Sequence, residues 1–417
     1  MQTLKLNSQE KKIVTLASLG GMLEFYDFII YGVFSVYFAS QFFPSGNNLI
    51  SVIESYVVFV LGYIARPVGG IIFSHVGDEH GRKKVLIITI VLMGISSLGI
   101  GILPTYSQIG VMAPILLLAL RLLQGLALGG ELPSTYVYVS ETMPGKRGIG
   151  FGITMTGVNA GLLLGMAANQ LLNTIYTSSQ ITSYGWRIPF VFGGALCLIS
   201  YKIRKSLQET GAFSAIKDKA EFPLVTLFKE ALPQLIAAIG LIAIMAGFVV
   251  GAIIFMPTYL HTVLHYDNHV VGHLMLIAMI FNVIAIYLIG IVANQISPVK
   301  LFILLIILGM IATPFSYYLI AKGWVYTGVV ILAILEGLAA MLVPYLITGL
   351  FPTKIRLTGV ALCYNLAFTI FGGGSPIIIS SLIELGYGVY IVPIVYMMVI
   401  LLISTIGIIY ARKYFTE

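Results

Sequence analysis

Glu24 and Asp27 stand three residues apart in the apolar and aromatic run Gly21-Met22-Leu23-Glu24-Phe25-Tyr26-Asp27-Phe28. On a helix this spacing puts both carboxylates on one face, close enough for each to influence the other's protonation. That is the property a proton carrier needs. The structural alternative is that one of them satisfies a helix terminus or a basic residue. Arg121 sits in the middle of a second apolar run, with no short route for its head to water. A guanidinium in such a place wants a carboxylate, because it offers a planar two-pronged donor. Internal carboxylates (Glu131, or Glu24 and Asp27) compete for it with the carboxylate of a bound solute. Glu336 lies midway along a third run, as a second protonation site or as a group hydrogen-bonded between helices. Arg66, at the end of a fourth run, reads as a snorkelling or gating cation. Ionisable groups at bilayer depth cost at least ~2.5 kcal/mol each on insertion scales, so each marks a candidate site.

The elements that must position these groups follow from the composition. The chain has 417 residues, of which 59% are hydrophobic and 9% charged, with a mean hydropathy of +1.00. A soluble domain carries about 25% charged residues. A cytosolic enzyme, a nucleic-acid binder and a single-pass receptor are therefore excluded. Charged residues, Pro and Gly punctuate the apolar runs into spans near 13–42, 49–74, 84–103, 109–140, 148–173 and 187–203. A second set falls near 231–260, 268–294, 300–320, 324–350, 357–383 and 388–411. Residues 202–231 form the only long polar connection and hold Lys202, Arg204, Lys205, Lys217, Lys219 and Lys229. They divide the chain into an N-terminal bundle, 1–201, and a C-terminal bundle, 232–417. With both termini in the cytoplasm, 19 of the 23 Lys and Arg fall in cytoplasmic segments, as the positive-inside rule requires. The net charge of +7 is thus a matter of topology rather than affinity for nucleic acid.

The halves echo each other. Gln124-Gly125-Leu126-Ala127 recurs as Glu336-Gly337-Leu338-Ala339, and Pro144-Gly145-Lys146-Arg147 is answered by Pro352-Thr353-Lys354-Ile355-Arg356. Two related six-helix halves around a central site are a transporter architecture. Between spans 2 and 3 stands Gly77-Asp78-Glu79-His80-Gly81-Arg82-Lys83-Lys84, where glycines serve a tight turn and the carboxylate can sit at a helix end. Arg66-Pro67-Val68-Gly69-Gly70, Arg121-Leu122-Leu123-Gln124-Gly125 through Gly129-Gly130-Glu131, and Gly185-Trp186-Arg187-Ile188-Pro189-Phe190 accompany it. So do Ser206-Leu207-Gln208-Glu209-Thr210, Met256-Pro257-Thr258-Tyr259-Leu260 and Phe351-Pro352-Thr353-Lys354-Ile355-Arg356.

With these motifs the chain resembles the major facilitator superfamily, and within it the metabolite:proton symporters, over nearly its whole length. The resemblance implies an all-α membrane protein of 12 transmembrane helices in two pseudo-symmetric six-helix bundles, with helices 1, 4, 7 and 10 lining a cavity. It also implies a gating charge relay through Asp78, Arg82 and Glu141. The chain departs from the family pattern at Ser74 and Glu79, and in the second half Gly290-Ile291-Val292-Ala293-Asn294-Gln295 lacks the Asp and the following Arg. The relay is therefore expected to rest mainly on the N-terminal half.

Candidate sites follow. Glu24, Asp27, Glu131 and Glu336 are candidates for proton coupling. Arg121, Gln124, Tyr31, Tyr345 and Asn365 are candidates for substrate binding, and Arg66, Asp78, Arg82, Glu141 and Arg147 for gating. Tyr56, Tyr63 and Tyr364 lie at depths that could face a cavity, where aromatic faces suit a quaternary ammonium. Gly161 and Gly165 let helix 5 approach a neighbour closely. His261, His265, His269 and His273 recur every four residues, but Tyr266-Asp267-Asn268 breaks the face, so solvated loop histidines are expected and no metal. Cys197 and Cys363 read as small core residues.

The expected function is a proton-coupled symporter in a bacterial inner membrane, importing a small carboxylate-bearing solute by alternating access. It would act as a monomer, with the lipid bilayer, the solute and a proton as its partners, and with no cofactor and no nucleic acid. Arg121 would hold the carboxylate. Charge counting favours a zwitterion such as proline or betaine, which needs one cation and an anion. A di- or tricarboxylate would want a second cation, which the cavity helices hardly offer. A membrane sensor that binds the solute without moving it is the alternative from another class.

Overall fold

The computed structural model describes residues 6–44, 48–215 and 222–415, and these form helices joined by turns, with no strand among the described residues. The segment holding Lys217 and Lys219, and the side chains of Tyr56 and Tyr63, lie outside the described residues. The first half contains α1 (Ser8–Phe42), α2 (Asn48–His80), α3 (Arg82–Ile102), α4 (Met112–Thr142), α5 (Arg147–Ile175) and α6 (Arg187–Arg204). In the second half, α7 begins as Leu232–Phe248 and continues through the π-helical turns Val249–Ile254 and Tyr259–Val263. There follow α8 (Asn268–Val292), α9 (Pro298–Ala321) and α10 (Val325–Leu350). Next, α11 starts as Arg356–Ala367, widens into a π turn at Phe368–Gly373 and resumes as Ser375–Glu384, before α12 (Ile391–Ala411). Ten of these passages are long and apolar enough to cross a bilayer. With α2 and α6 they make twelve.

Local signals explain the ends. Asn7 caps α1 by accepting the Glu10 N–H at 2.7 Å, while the Glu10 carboxylate accepts the Asn7 N–H at 2.7 Å, a reciprocal pair that satisfies two orphan donors. The segment between spans 2 and 3 is tighter than expected. Helix α2 stays helical through His80, and Gly81 alone, at φ +108°, reverses the chain. Only glycine tolerates that conformation cheaply.

Helix pairings repeat in the two halves. In the first half α1 packs on α5, α2 on α4, and α3 on α6; in the second, α7 packs on α11, α8 on α10, and α9 on α12. The halves meet along α2–α11 and α5–α8, again a symmetric pair. Small residues set these approaches. A Cβ on Gly161 would stand 2.1 Å from the Met22 carbonyl oxygen, and one on Gly165 2.0 Å from Ile29 Cγ2, so α5 lies directly against α1, as the glycine spacing predicts. The turns α2–α3, α4–α5 and α10–α11, the start of α1 and the end of α12 share one end, which carries Lys83, Lys84, Lys146, Lys354 and Arg412, here called the charged end.

Candidate functional site

A small cavity lies where the two halves meet. Glu24 and Phe25 line it from α1, Arg66 from α2, Leu128 from α4, Val249 and Ile254 from α7, and Phe368 from α11. Its volume of about 10 Å³ holds a single water. Both α7 and α11 reach it through their π turns, irregularities that concentrate at functional sites. Glu24 is buried, and neither carboxylate oxygen has a hydrogen-bond partner among the described residues; Arg66 and Arg204 are the cations whose fields it feels. The Arg66 guanidinium lies 5.7 Å from the Tyr364 ring centre and 5.8 Å from that of Phe368. Tyr364 in turn meets Phe368 at 4.5 Å and, edge-on, Tyr136 at 5.7 Å. One carboxyl group, one guanidinium and the Phe25 and Phe368 rings therefore line the space between the halves, with Tyr364 against Phe368.

This placement differs from the sequence reading of Arg66 as a cation at the inner end. Because α2 runs on to His80, Arg66 lies about 18 Å from Asp78 at ~1.5 Å per residue. It is 4% exposed and faces rings rather than water.

Asp27 turns away from Glu24 towards α3. Ser97 donates its hydroxyl hydrogen to Asp27 Oδ2. Gln124 Nε2 donates to Ser97 Oγ at 3.0 Å, and Arg121 Nη1 donates to Gln124 Oε1 at 2.7 Å. Arg121 also lies 4.0 Å over the centre of the Tyr31 ring, and the Tyr31 hydroxyl donates to the Ser55 carbonyl at 3.2 Å. Ser97 escaped the sequence reading because a serine in an apolar run carries no signal of its own.

Glu131 is bound elsewhere. It accepts from Arg204 Nη2 at 2.5 Å and from the Thr89 hydroxyl, while Arg204 Nη1 donates to the Leu86 carbonyl at 2.7 Å. By sequence Arg204 is one of the cations of the central connection. In the structure it folds back into the bundle, into space left by Gly20, where a Cβ would overlap its Nη2 at 1.4 Å. In the second half Glu336 accepts from Asn282 Nδ2, which also reaches the Ala333 carbonyl at 2.8 Å, so this carboxylate joins α10 to α8. Asn365 donates to the Gly129 carbonyl at 3.0 Å, tying α11 to α4. Tyr345 lies with Arg147, whose guanidinium is 4.5 Å from its ring centre, rather than in the cavity.

Hydrogen bonds that cross between the halves lie on the charged side of the cavity. Asp78 accepts the N–H groups of Leu357 and Thr358 at 3.3 and 2.8 Å and the Thr358 hydroxyl at 2.8 Å, so it sits on the N-terminus of α11. Arg82 joins Asp78 at 3.2 Å and grips Glu141 with two N–H groups, each at 3.2 Å. It also donates to the Thr353 carbonyl at 2.9 Å. Arg356 closes on Glu141 at 3.0 Å. Glu209 accepts the N–H groups of Arg82 and Lys83 at 3.1 Å each, capping α3 from a distance. Arg147 donates to the Tyr345 carbonyl at 2.9 Å and the Thr348 hydroxyl at 2.7 Å. The residue the sequence reading left without a role is Asn294. It accepts the Gly148 N–H at 2.9 Å at the start of α5, the position Asp78 holds at the start of α11.

The histidine series is broken as expected. His265 adopts φ +60° in the turn, and His261 Nδ1 lies 3.0 Å from the Tyr266 carbonyl. Among the described residues no His, Cys, Asp and Glu group has the geometry to hold a metal.

The sequence signature of the Major Facilitator Superfamily matches residues 17–376. The chain belongs to the major facilitator superfamily. It is 31% identical to the proline/betaine transporter of Escherichia coli (strain K12), over 95% of this chain and 82% of that one. It is 32% identical to the glycine betaine/proline/ectoine/pipecolic acid transporter OusA of Dickeya dadantii, over 94% and 81%. Among solved structures it superposes on the proton:xylose symporter XylE bound to 6-bromo-6-deoxy-D-glucose with a TM-score of 0.78, at 18% identity and 97% and 96% coverage. It superposes on FucP in its outward conformation with a TM-score of 0.72, at 11% identity and 97% and 100% coverage. This facilitator is a multi-pass membrane solute transporter, not an enzyme, and its twelve helices form the two six-helix bundles of the superfamily.

Proposed function

We propose that this facilitator is a proton-coupled symporter of a small zwitterion of the proline or betaine type in a bacterial inner membrane. The observation that carries the reading is the cavity between the halves, where Glu24 and Arg66 present one negative and one positive group beside Phe368 and Tyr364. A zwitterion brings one charge of each sign. Its carboxylate pairs with Arg66, in a two-pronged geometry that guanidinium favours. Its ammonium faces Glu24 and the rings, whose π faces attract a quaternary or secondary ammonium. A di- or tricarboxylate would find one cation here and an opposing carboxylate. Asp27, joined to Arg121 through Ser97 and Gln124, is the proton carrier in this reading.

The charged end faces the cytoplasm, following the distribution of Lys and Arg. Residues 1–201 and 232–417 rock against each other. The bonds at Asp78, Glu141 and Asn294 close the cytoplasmic side, and the π turns of α7 and α11 absorb the change that opens a cavity now the size of one water. The relatives named as proline/betaine transporters support the choice of solute.

The test is substrate-evoked acidification inside proteoliposomes that contain a pH dye, across a panel of zwitterions and organic acids. Acidification by proline or betaine and not by citrate is expected. Acidification by the organic acids alone would sink the zwitterion reading, and labelled counterflow without any proton movement would sink the coupling.

A further inference from the structure

We infer that the Ser97 hydroxyl transmits the protonation of Asp27 to Arg121, which makes Ser97 a positioning residue of proton coupling. The inference rests on the reading of Asp27 as the proton carrier. The guanidinium of Arg121 can only donate hydrogen bonds. Its 2.7 Å contact therefore fixes the Gln124 amide with Oε1 towards Arg121. That leaves Nε2 turned to Ser97 Oγ at 3.0 Å, so Ser97 must accept there. Ser97 has one hydrogen, and it goes to Asp27 Oδ2. Every bond in the chain thus runs in one direction, from cation to anion, and each polarises the next.

A proton on Asp27 reverses the last link. The neutral carboxyl group becomes a donor, its O–H turns to Ser97 Oγ, and the serine hydrogen must find another acceptor. Helix α3 offers one by a route that its neighbour Ser96 already uses, donating to the Leu92 carbonyl at 2.8 Å, four residues back. Arg121 then loses the anion at the far end of its chain. Its guanidinium keeps its bond to Gln124 and its place over the Tyr31 ring, but without the anion that the chain had supplied.

The surroundings make Ser97 the point of transmission. Asp27 feels Arg121 from α4, the Cys197 thiol from α6, and the Tyr26 hydroxyl on its own helix, with Glu24 one turn away. From α3 only Ser97 reaches it among the described hydrogen bonds. On α6 the neighbour is Gly193, where a Cβ would stand 2.6 Å from Asp27 Oδ1.

The experiment measures protons moved per solute moved, and the pH profile of labelled uptake, in proteoliposomes holding the full chain. In Ser97→Ala the proton-to-solute ratio is expected to fall by at least about fivefold, the lower end of couplings between linked sites. The uptake profile should flatten with pH, and Ser97→Thr, which returns the hydroxyl, should restore both. On an Asp27→Asn background, Ser97→Ala should add nothing, because it acts through Asp27. Gln124→Met breaks the same chain one link away and should repeat the loss, which keeps the idea testable if Ser97→Ala does not fold. A coupled wild type with an unchanged ratio and profile in Ser97→Ala, or in Gln124→Met, would overturn the role of Ser97 and leave the symporter reading intact. A wild type that moves solute without protons would overturn both.

Discussion

The two corners at the charged end, α2–α3 and α8–α9, occupy equivalent places in the two halves and hold their partners by different physics. At the first, Asp78 caps α11 with three accepted hydrogen bonds and is embedded with Arg82, Glu141 and Arg356. A carboxylate at a helix N-terminus gains from the helix dipole as well as from the bonds themselves. At the second, Asn294 accepts one N–H, that of Gly148. The remaining contact is backbone against backbone, since a Cβ on Gly290 would lie 2.5 Å from Gly152 Cα and one on Gly152 2.8 Å from Gly290 Cα. Charge closes one seam and close packing closes the other. Separating the halves at the charged end would break three hydrogen bonds to Asp78 and the Arg356–Glu141 ion pair at the first seam, but only one hydrogen bond and the contact of small surfaces at the second.

The largest effect is expected at Asp78. Asp78→Ala leaves Arg82 buried without one of its anions and strips the cap from α11. A broken buried pair costs about 3–5 kcal/mol, so the closed arrangement should be lost and labelled uptake should fall by more than tenfold. In parallel, a membrane-impermeant thiol reagent at the charged end should label Leu128→Cys faster; no change in labelling would show that Asp78 does not hold the seam. Gly290→Leu comes next, because it forces α8 away from α5, and overpacking of this kind costs about 1–3 kcal/mol. Uptake should drop several-fold, with faster labelling of the same cysteine. Asn294→Ala removes a single hydrogen bond worth about 1 kcal/mol, so a change of no more than roughly fivefold is expected, and a loss as large as that of Asp78→Ala would refute the asymmetry. The smallest effect belongs to Asn294→Asp. A charge at the start of α5 should add about 0.3–1 kcal/mol of dipole stabilisation, slowing the labelling of Leu128→Cys slightly and bringing the second corner closer to the first.

Much of the architecture was legible in residue types and order. The apolar runs gave the twelve passages, the small residues of α5 gave its close contact with α1, and the turn at Tyr266-Asp267-Asn268 gave the break in the histidine series. Arg82 also pairs with Asp78 and Glu141, the three residues that the family resemblance groups together. The cavity was less legible. By position in its run Arg121 is the expected cavity cation, while in the structure Arg66 lines the cavity, because α2 continues beyond the expected end of its span. Tyr345 was placed by depth alone, and depth does not say which way a helix is rotated; Arg147 claims its face. Asn294 carries no charge to mark it as the counterpart of Asp78, yet its neutral amide makes the same kind of backbone contact.

By itself the sequence determined that this chain crosses a bilayer many times, in two related halves, and that a few charges are held inside at some cost. Those are properties of composition and local period, which a stretch of about 20 residues contains within itself. Only the tertiary structure decided which charges meet. Glu131 takes Arg204, Asp27 takes Ser97, and Asp78 takes the start of α11, across separations of 73, 70 and 280 residues. Such pairings depend on the depth and rotation of two separate helices, and on glycines such as Gly20 that leave room for a side chain from elsewhere, so no single segment encodes them.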